Sequence, residues 1–209
     1  MTEQDRQHAI RLRLARMGKP PTGAVIPTGF AALDAALGAG GFPRGRVVEL
    51  FGASSTGKTT LALQVIAHAQ SDGLTAAWID AEHAFDPAYA ATLGVSIGRL
   101  PVAQPESAEQ ALEIVRQLAA SQAVDLLVVD SAAALIPRLE LHTGLGEGGP
   151  GLQSRVLASG LRRLAGIVAR TGTVVVFLNQ LRSRPGASPG EPETTAGGPA
   201  LKLDRKSVV

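Results

Sequence analysis

Residues 46–60 read "RVVELFGASSTGKTT", an apolar run followed at once by a glycine-rich turn. The apolar part, 46–51, has the unbroken hydrophobicity of a strand that is buried on both faces. The turn, 52–60, matches the pattern G-x-x-x-x-G-K-[ST], in which glycines let backbone N–H groups point inward around phosphate oxygens. A helix beginning near Lys58 adds its positive end to the same phosphates. The stretch therefore predicts a nucleotide site between a strand and a helix.

The side chains of the turn have separate predicted roles. Lys58 can reach the β- and γ-phosphates of ATP, and the Thr59 hydroxyl can ligate Mg²⁺. The alternative is a chance Gly/Ser loop, and the strand and amphipathic helix on either side argue against it. The predicted nucleotide-binding residues are Gly52, Ala53, Ser54, Ser55, Thr56, Gly57, Lys58, Thr59 and Thr60.

Three further apolar runs predict buried strands: "TAAWI" (75–79), "DLLVV" (125–129) and "TVVVFL" (173–178). Helical patterns lie between them, and one begins at a capping-box pair, Ser107 and Gln110. Another spans about 151–170, with an inner face formed by Leu157, Leu161, Leu164 and Val168. Strands that alternate with helices predict an α/β fold, with a mostly parallel sheet flanked by helices.

Polar or glycine residues follow each predicted strand: Gly52, Asp80, Asp130 and the pair Asn179–Gln180. The carboxyl ends of parallel strands line one crevice, where ligands bind. Asp130 is the expected second Mg²⁺ anchor, acting through water, although an acid that ends a strand is often a helix cap. The amide of Gln180 is placed to touch a terminal phosphate.

The segment "IDAEHAFDPAYA" (79–90) offers a carboxylate beside the γ-phosphate. Glu82 follows its strand by two residues and can orient and deprotonate an attacking water. The alternative is a solvated loop acid. Tyr89 can stack on a base, although such a tyrosine more commonly packs. His83 has no second histidine at helical ligand spacing, which argues against a metal site there.

Composition limits the class of protein. With 209 residues, 45% of them hydrophobic, the chain can form one core of ordinary size. The net charge of +2 permits a polyanionic partner without demanding one, and the lack of cysteine excludes disulfides and thiolate metal sites. The N-terminus is too charged for a signal peptide, and no apolar run reaches the 18 or so residues of a membrane span. We expect a soluble, cytoplasmic protein with no membrane partner.

The chain divides into three predicted parts. Residues 1–23 form an N-terminal helical arm and linker, with Ile10, Leu14 and Met17 on one face of a helix over 3–17. Residues 24–203 form one core domain. Residues 204–209 form a tail.

Five segments together resemble the bacterial RecA recombinase family. They are "LDAALGAGGFPRGRVVELFGASSTGKTTLALQVI", "WIDAEHAFDPAYA", "ESAEQALEI", "AVDLLVVDSAAALIPR" and "NQLR…GEPETTAGGPALK", in this order over roughly residues 25–202. The resemblance implies an incomplete RecA-type ATPase core, in which the strand before Gln180 lies between the P-loop strand and the Asp130 strand. It also implies that Lys58, Glu82 and Gln180 are catalytic, and that Asp86 and Tyr89 hold the adenine.

The resemblance implies DNA partners as well. In the family, the loop after the sensor glutamine, here 179–200, and the segment matching 139–151 become ordered on single-stranded DNA, before double-stranded DNA is engaged. The family forms helical filaments, and the segment 3–17 would dock on the neighbouring protomer. The DNA-binding residues expected here are Arg155, Arg162, Arg182, Arg184, Gly197 and Gly198. Without the resemblance, Arg155 and Arg162 would be a solvated helix face.

The chain also departs from the family pattern. Pro150 and Pro185 stand where the family commonly has bulkier apolar residues, and Leu203 stands where an aromatic residue is usual. The closing "DRKSVV" (204–209) does not continue the pattern, which indicates a truncated reading frame with a foreign tail. The family's activating cations come from later sequence. We therefore expect these 209 residues alone to bind ATP weakly, to hydrolyse it near the basal rate, and to have an open strand edge and poor solubility.

Three functions compete on these observations. The leading hypothesis is a DNA-dependent ATPase of homologous recombination and DNA repair, hydrolysing ATP to ADP and phosphate. The alternative is a non-exchanging RecA-like regulatory protein that binds ATP and acts through a protein partner, which the proline-rich loops favour. A small-molecule kinase lacks a substrate-lid signature.

Overall fold

The computed structural model of the chain describes residues 25–143, 151–183, 193–195, 201 and 207–208. The strands are β1 (Val25–Ile26), β2 (Phe42–Pro43), β3 (Val47–Gly52), β4 (Ala76–Asp80), β5 (Val102–Ala103), β6 (Leu126–Asp130), β7 (Val174–Ser183), β8 (Glu193–Thr195) and β9 (Ser207–Val208). The helices are α1 (Ala31–Ala36), α2 (Lys58–Ser71), α3 (Pro87–Thr92), α4 (Ala108–Ala120), α5 (Arg138–His142) and α6 (Leu152–Thr171). The predicted helix over 3–17 lies outside the described residues.

The main sheet has the strand order β5-β4-β6-β7-β3-β9, and every neighbouring pair in this order is parallel. The short pair β1–β2 forms a separate antiparallel ribbon. The predicted α/β class is confirmed. The strand that carries Gln180 lies between the P-loop strand and the Asp130 strand, as the family resemblance implies. This order brings the ends of β3, β6 and β7 side by side.

The core fills both faces of the sheet. On one face, α4 and α6 pack against alternate residues of β3, β4, β6 and β7, and α2 packs on the other face with Trp78. Leu157, Leu161, Leu164 and Val168 are each at most 1% exposed, so the predicted inner face of α6 is confirmed. Burial on both faces explains why these strands read as unbroken apolar runs.

The prediction that residues 179–200 form a loop is wrong at residues 179–183 and 193–195. Strand β7 continues to Ser183, and β8 pairs with it antiparallel, with Arg182 opposite Thr194. A partner strand satisfies backbone N–H and C=O groups that a loop would leave to water. Similarly, α5 occupies the first part of the predicted loop 139–151. Arg184, Pro185, Gly197, Gly198 and Pro150 lie outside the described residues.

Two further expectations need correction. We expected the outer edge of β3 to be open, but β9 pairs with part of it in parallel. Ser207 lies beside Val48, and Val208 lies beside Glu49. The free backbone groups of an edge strand can pair with another strand that comes within reach. At the start of α4, Ser107 caps the helix by accepting the N–H of Gln110, as predicted. The Gln110 side chain, however, accepts the N–H of Glu106, one residue outside the expected capping box.

Within the ranges described here, none of the helices is both long enough and apolar enough to cross a membrane.

Candidate functional site

The turn between β3 and α2 is wound by two residues with left-handed backbone. Ser55 has φ 60°, and Gly57, the residue that precedes α2, has φ 85°. Glycine takes this conformation without the steric cost of a Cβ atom. Helix α2 begins at Lys58, as predicted. The first N–H groups of α2 therefore face the concave side of the turn, where the sequence predicts phosphates.

Lys58 folds back over the turn that precedes it. Its amino group donates to the carbonyl oxygen of Ala53 at 2.6 Å and to that of Gly52 at 3.3 Å. It also lies 3.4 Å from the Thr56 hydroxyl. The cation is thereby held at the mouth of the turn by neutral acceptors, which an anion can replace.

A cavity of about 340 Å³ opens in front of the turn. It collects residues from the carboxyl ends of three strands and from the start of α2. The lining residues are Ser54, Ser55, Thr56, Gly57, Lys58, Thr59, Thr60, Glu82, Asp130, Ser131 and Gln180. The structure therefore brings together the predicted catalytic residues Lys58, Glu82 and Gln180. Of the predicted nucleotide-binding residues, Gly52 and Ala53 contribute through the carbonyls that hold Lys58.

Thr59 and Asp130 meet across the cavity floor, although they are 71 residues apart in sequence. The Thr59 hydroxyl donates to Asp130 Oδ2 at 3.0 Å. Burial raises the pKa of Asp130 from 3.8 to about 6; the Thr59 hydrogen bond and the charge of Lys58 oppose the shift, while the charges of Glu82 and Asp80 add to it. A hydroxyl beside a carboxylate provides two oxygen ligands suited to a hard cation.

The Glu82 carboxylate is anchored to the end of β6. The backbone N–H groups of Ala81 and Glu82 donate to the Asp130 carbonyl at 2.7 and 3.2 Å. The buried hydroxyl of Ser131 donates to Glu82 Oε1. Sequence analysis missed Ser131, although a polar residue directly after Asp130 at the same strand end is a signal that could have found it.

Asp80 shapes the turn that presents Glu82. Its side chain is buried, and its two oxygens accept the N–H groups of Ala84 and Phe85 at 3.1 Å each. Gln104, which follows β5, donates to the same carboxylate at 2.8 Å. The turn after β4 is thus closed on a buried acceptor, which limits where Glu82 can lie.

Asp86 and Tyr89 lie beside the cavity rather than in its lining. Asp86 caps α3 by accepting the N–H groups of Ala88 and Tyr89 at 2.8 and 3.0 Å. The Tyr89 hydroxyl lies 2.8 Å from the hydroxyl of Thr60, which does line the cavity. With 42% of its surface exposed, Tyr89 presents an accessible ring next to the turn between β3 and α2.

The predicted DNA-binding arginines lie on two elements. Arg155 and Arg162 are exposed on α6, and their spacing of seven residues places them on one helix face about two turns apart. Arg182 is on β7, two residues beyond Gln180. Their role in DNA binding stays a prediction.

No group of three or more His, Asp or Glu side chains forms a metal cluster in the described part of the chain. Proteins usually hold Mg²⁺ by one or two carboxylates together with substrate phosphates and water. Thr59 and Asp130 fit that arrangement.

Comparisons with known proteins agree with this geometry. A family model described as "RecA N-terminal domain" matches residues 10–207. Protein RecA of Roseiflexus sp. (strain RS-1) is 53% identical over 206 residues, covering 97% of this chain and 58% of that protein. Protein RecA of Chloroflexus aurantiacus (strain ATCC 29364 / DSM 637 / Y-400-fl) is 56% identical over 178 residues, covering 85% of this chain and 51% of that protein. The chain thus spans a little over half the length of these curated relatives.

Among solved structures, one described as "Crystal structure of the RadB recombinase" matches with a TM-score of 0.65. It is 24% identical in sequence, and the match covers 88% of this chain and 81% of that one. The likeness shows a shared fold.

Proposed function

The chain belongs to the RecA family, and on that premise we propose that it binds ATP with Mg²⁺ and hydrolyses ATP to ADP and phosphate in a DNA-dependent way. The proposal extends to a role as a filament-forming recombinase in homologous recombination and DNA repair in the cytoplasm. One observation carries the ATPase part of it. The phosphate turn, Glu82, Asp130 and Gln180 come from four separate segments and line one cavity.

Phosphate binding follows from the turn and from Lys58. The N–H groups at the start of α2 and the left-handed residues of the turn supply donors to phosphate oxygens. Lys58 now donates to the carbonyls of Gly52 and Ala53. A phosphate offers the ammonium group a charged partner, and charge-assisted hydrogen bonds are about twice as strong as neutral ones. Lys58 is therefore expected to turn from the carbonyls toward the nucleotide.

Mg²⁺, when bound, neutralises charge that develops on the phosphate oxygens. Thr59 would hold the cation through its hydroxyl, and Asp130 would hold it through water. Asp130 is expected to be fully ionised in that state, because a nearby cation lowers the pKa that burial raises.

Glu82 is the proposed general base. Its carboxylate lines the cavity and accepts the Ser131 hydroxyl on Oε1, which orients the group. A water in the cavity can be positioned by Glu82 and can transfer its proton to the carboxylate as it attacks the γ-phosphate. Gln180, on the neighbouring strand, is placed to hydrogen-bond the same phosphate.

DNA binding is proposed for α6 and for the region of the β7–β8 hairpin. Arg155 and Arg162 add positive charge to one exposed face of α6, and Arg182 is a residue of β7. Backbone phosphates bind such arginines largely regardless of base sequence. The proposed partner is single-stranded DNA first and double-stranded DNA second, on a filament of identical subunits.

The first test is nucleotide binding by calorimetry, with Lys58→Ala compared with the parent. We expect the variant to lose measurable ATP·Mg²⁺ binding, because it removes the cation placed among the phosphates. Arg116→Ala is the matched control, since it removes a cation that is paired with Glu113 on α4, which packs on the opposite face of the sheet from α2. Equal affinity in the Lys58 variant and the parent would contradict the site.

The second test is ATP hydrolysis with and without single-stranded DNA. Stimulation by DNA supports the recombinase function. The comparison needs a form of the protein that hydrolyses ATP above the basal rate. In that form, ATP binding without any response to DNA would favour the regulatory protein that acts through a protein partner.

A further inference from the structure

A buried polar pair joins two neighbouring strands of the sheet next to the proposed nucleotide site. Glu49 of β3 and Asn179 of β7 are each 0% exposed. Asn179 Nδ2 donates to Glu49 Oε1 at 2.7 Å. Glu49 lies three residues before Gly52, and Asn179 directly precedes Gln180. The pair therefore connects the strand that enters the phosphate turn with the strand that presents the glutamine amide.

The other end of the Asn179 amide holds the backbone of Gln180. Asn179 Oδ1 accepts the Gln180 N–H at 2.9 Å. Each end of the amide thus has a partner of the opposite kind. If the amide rotated by 180°, its oxygen would face the Glu49 oxygen, and its NH₂ would face an N–H donor. Glu49 therefore sets one orientation of Asn179, and Asn179 in turn restrains the backbone at Gln180.

A polar pair at this depth is costly, because both groups lose their water on folding. The surrounding sheet is otherwise built from Val, Leu and Phe, including Val176, Phe177 and Leu178 on β7. Apolar side chains would fill the same space without the desolvation cost. Core stability therefore does not explain the pair well. A better explanation is that the pair holds Gln180, the residue of β7 that lines the cavity, in place.

We propose that Asn179, held by Glu49, is a positioning residue that aims the Gln180 amide at the terminal phosphate of the nucleotide. The inference rests on the proposed function, because it assumes that the cavity binds ATP. Asn179 contacts the backbone of Gln180 and is buried behind it, so its effect on a ligand passes through Gln180.

The test is the discrimination between ATP and ADP. Calorimetry gives the dissociation constants of ADP·Mg²⁺ and of a non-hydrolysable ATP analogue with Mg²⁺, for the parent and for Asn179→Ala. We expect the preference for the analogue to fall about tenfold, as when one hydrogen bond to a charged group is lost. The affinity for ADP should stay within about twofold, since the turn and Lys58 are untouched.

Two variants separate positioning from general stability. Glu49→Gln keeps an acceptor for Asn179 Nδ2 and should retain the preference. Thr173→Val alters a buried hydroxyl next to the opposite end of the same strand, where it donates to Val124 at 3.0 Å. It should lower stability and leave the preference unchanged. If Asn179→Ala does not fold, the double variant Glu49→Leu with Asn179→Leu replaces both partners by apolar groups and serves in its place.

The decisive arm is the background Gln180→Ala. There, adding Asn179→Ala should not change the preference further, since the amide that it positions is absent. A further loss of preference in the Gln180→Ala background would overturn the inference. An unchanged preference in a folded Asn179 variant that retains Gln180 would also overturn it. If the parent binds neither nucleotide, the proposed function itself is wrong. If the parent prefers the ATP analogue over ADP and the Asn179 variant has the same preference, only the positioning role of Asn179 is wrong.

Discussion

Single residues at the strand ends line the cavity, and Glu82 is the one that we propose as the proton acceptor. Glu82→Gln should keep nucleotide affinity, because the amide oxygen can still accept the Ser131 hydroxyl. It should lower turnover about 10²–10⁴-fold, since an amide cannot take the proton of the attacking water. Steady-state hydrolysis measures this, in a form of the protein that turns over ATP measurably. Glu106→Gln, an exposed carboxylate just before α4, is the control. Turnover of the Glu82 variant within twofold of the parent would assign Glu82 to the loop surface.

Asp130 is a second residue whose charge can be tested, through pH and stability. Its ordinary pKa of 3.8 applies to the unfolded chain, and burial raises it to about 6 in the folded chain. Between these values the folded state binds the proton more tightly, so the free energy of unfolding falls as the pH rises through about 6. Above that pH the native state carries a partly buried charge, which costs up to about 3 kcal/mol.

Asp130→Asn should therefore stabilise the chain at pH 8 by about 1–3 kcal/mol, measured by urea denaturation without Mg²⁺ or nucleotide. The gain should shrink toward zero near pH 4, where the parent carboxyl is neutral in the folded state as well. A difference of the same size at pH 4 and pH 8 would show that the effect is packing rather than charge.

At the scale of elements, the β1–β2 ribbon depends on a close backbone approach at Gly41. A Cβ atom at Gly41 would lie 2.4 Å from the Ile26 carbonyl oxygen, and Gly41 has φ 149°. Ile26 and Phe42 of this ribbon are both buried in the core on the α2 side of the sheet. Displacing the ribbon would therefore expose core surface.

Gly41→Ala should lower the free energy of unfolding by about 1–3 kcal/mol more than Gly38→Ala does. Gly38 has φ 71°, and a methyl group added there would meet nothing within 4 Å, so that variant carries the left-handed backbone cost alone. Urea denaturation of both variants measures the difference. Equal losses would show that the ribbon can shift away from Ile26 freely.

At the scale of the whole molecule, the strand order places part of the proposed DNA-binding segment next to the cavity. Strand β7 brings Gln180 to the cavity and continues to Ser183, so Arg182 is part of the same strand. Arg184 follows in the sequence. If both arginines contact single-stranded DNA, each contributes about −0.7 to the slope of log K against log salt. Replacing both by glutamine should therefore flatten that slope by roughly 1.4.

Fluorescence anisotropy at several salt concentrations measures the slope. Arg99 and Arg170 serve as the matched control pair. Each shortly precedes a strand, so both lie toward the amino-terminal ends of the parallel strands, opposite to the cavity. Their replacement should leave the slope unchanged. The same slope in the Arg182/Arg184 variant and the parent would indicate that the segment makes protein contacts instead.

Much of this molecule could be predicted from sequence, because the deciding signals are local. The sequence motif at residues 52–60 predicts the glycine-rich turn and the start of α2. Continuous apolar runs predict strands that are buried on both faces. The strand-end residues Glu82, Asp130 and Gln180 could be assigned to one edge, since parallel strands end together.

The tertiary structure alone decided which partner each polar group takes. Glu49 meets Asn179 across 130 positions of sequence, Ser131 meets Glu82 across 49, and Gln104 reaches Asp80 across 24. The hydrophobic periodicity within a strand or helix indicates which of its faces is buried. It does not indicate which distant donor lies opposite a buried acceptor. For the same reason β7 was predicted too short. Its last residues are strand because β8 returns beside them, and a single segment of sequence does not specify the strand that will pair with it.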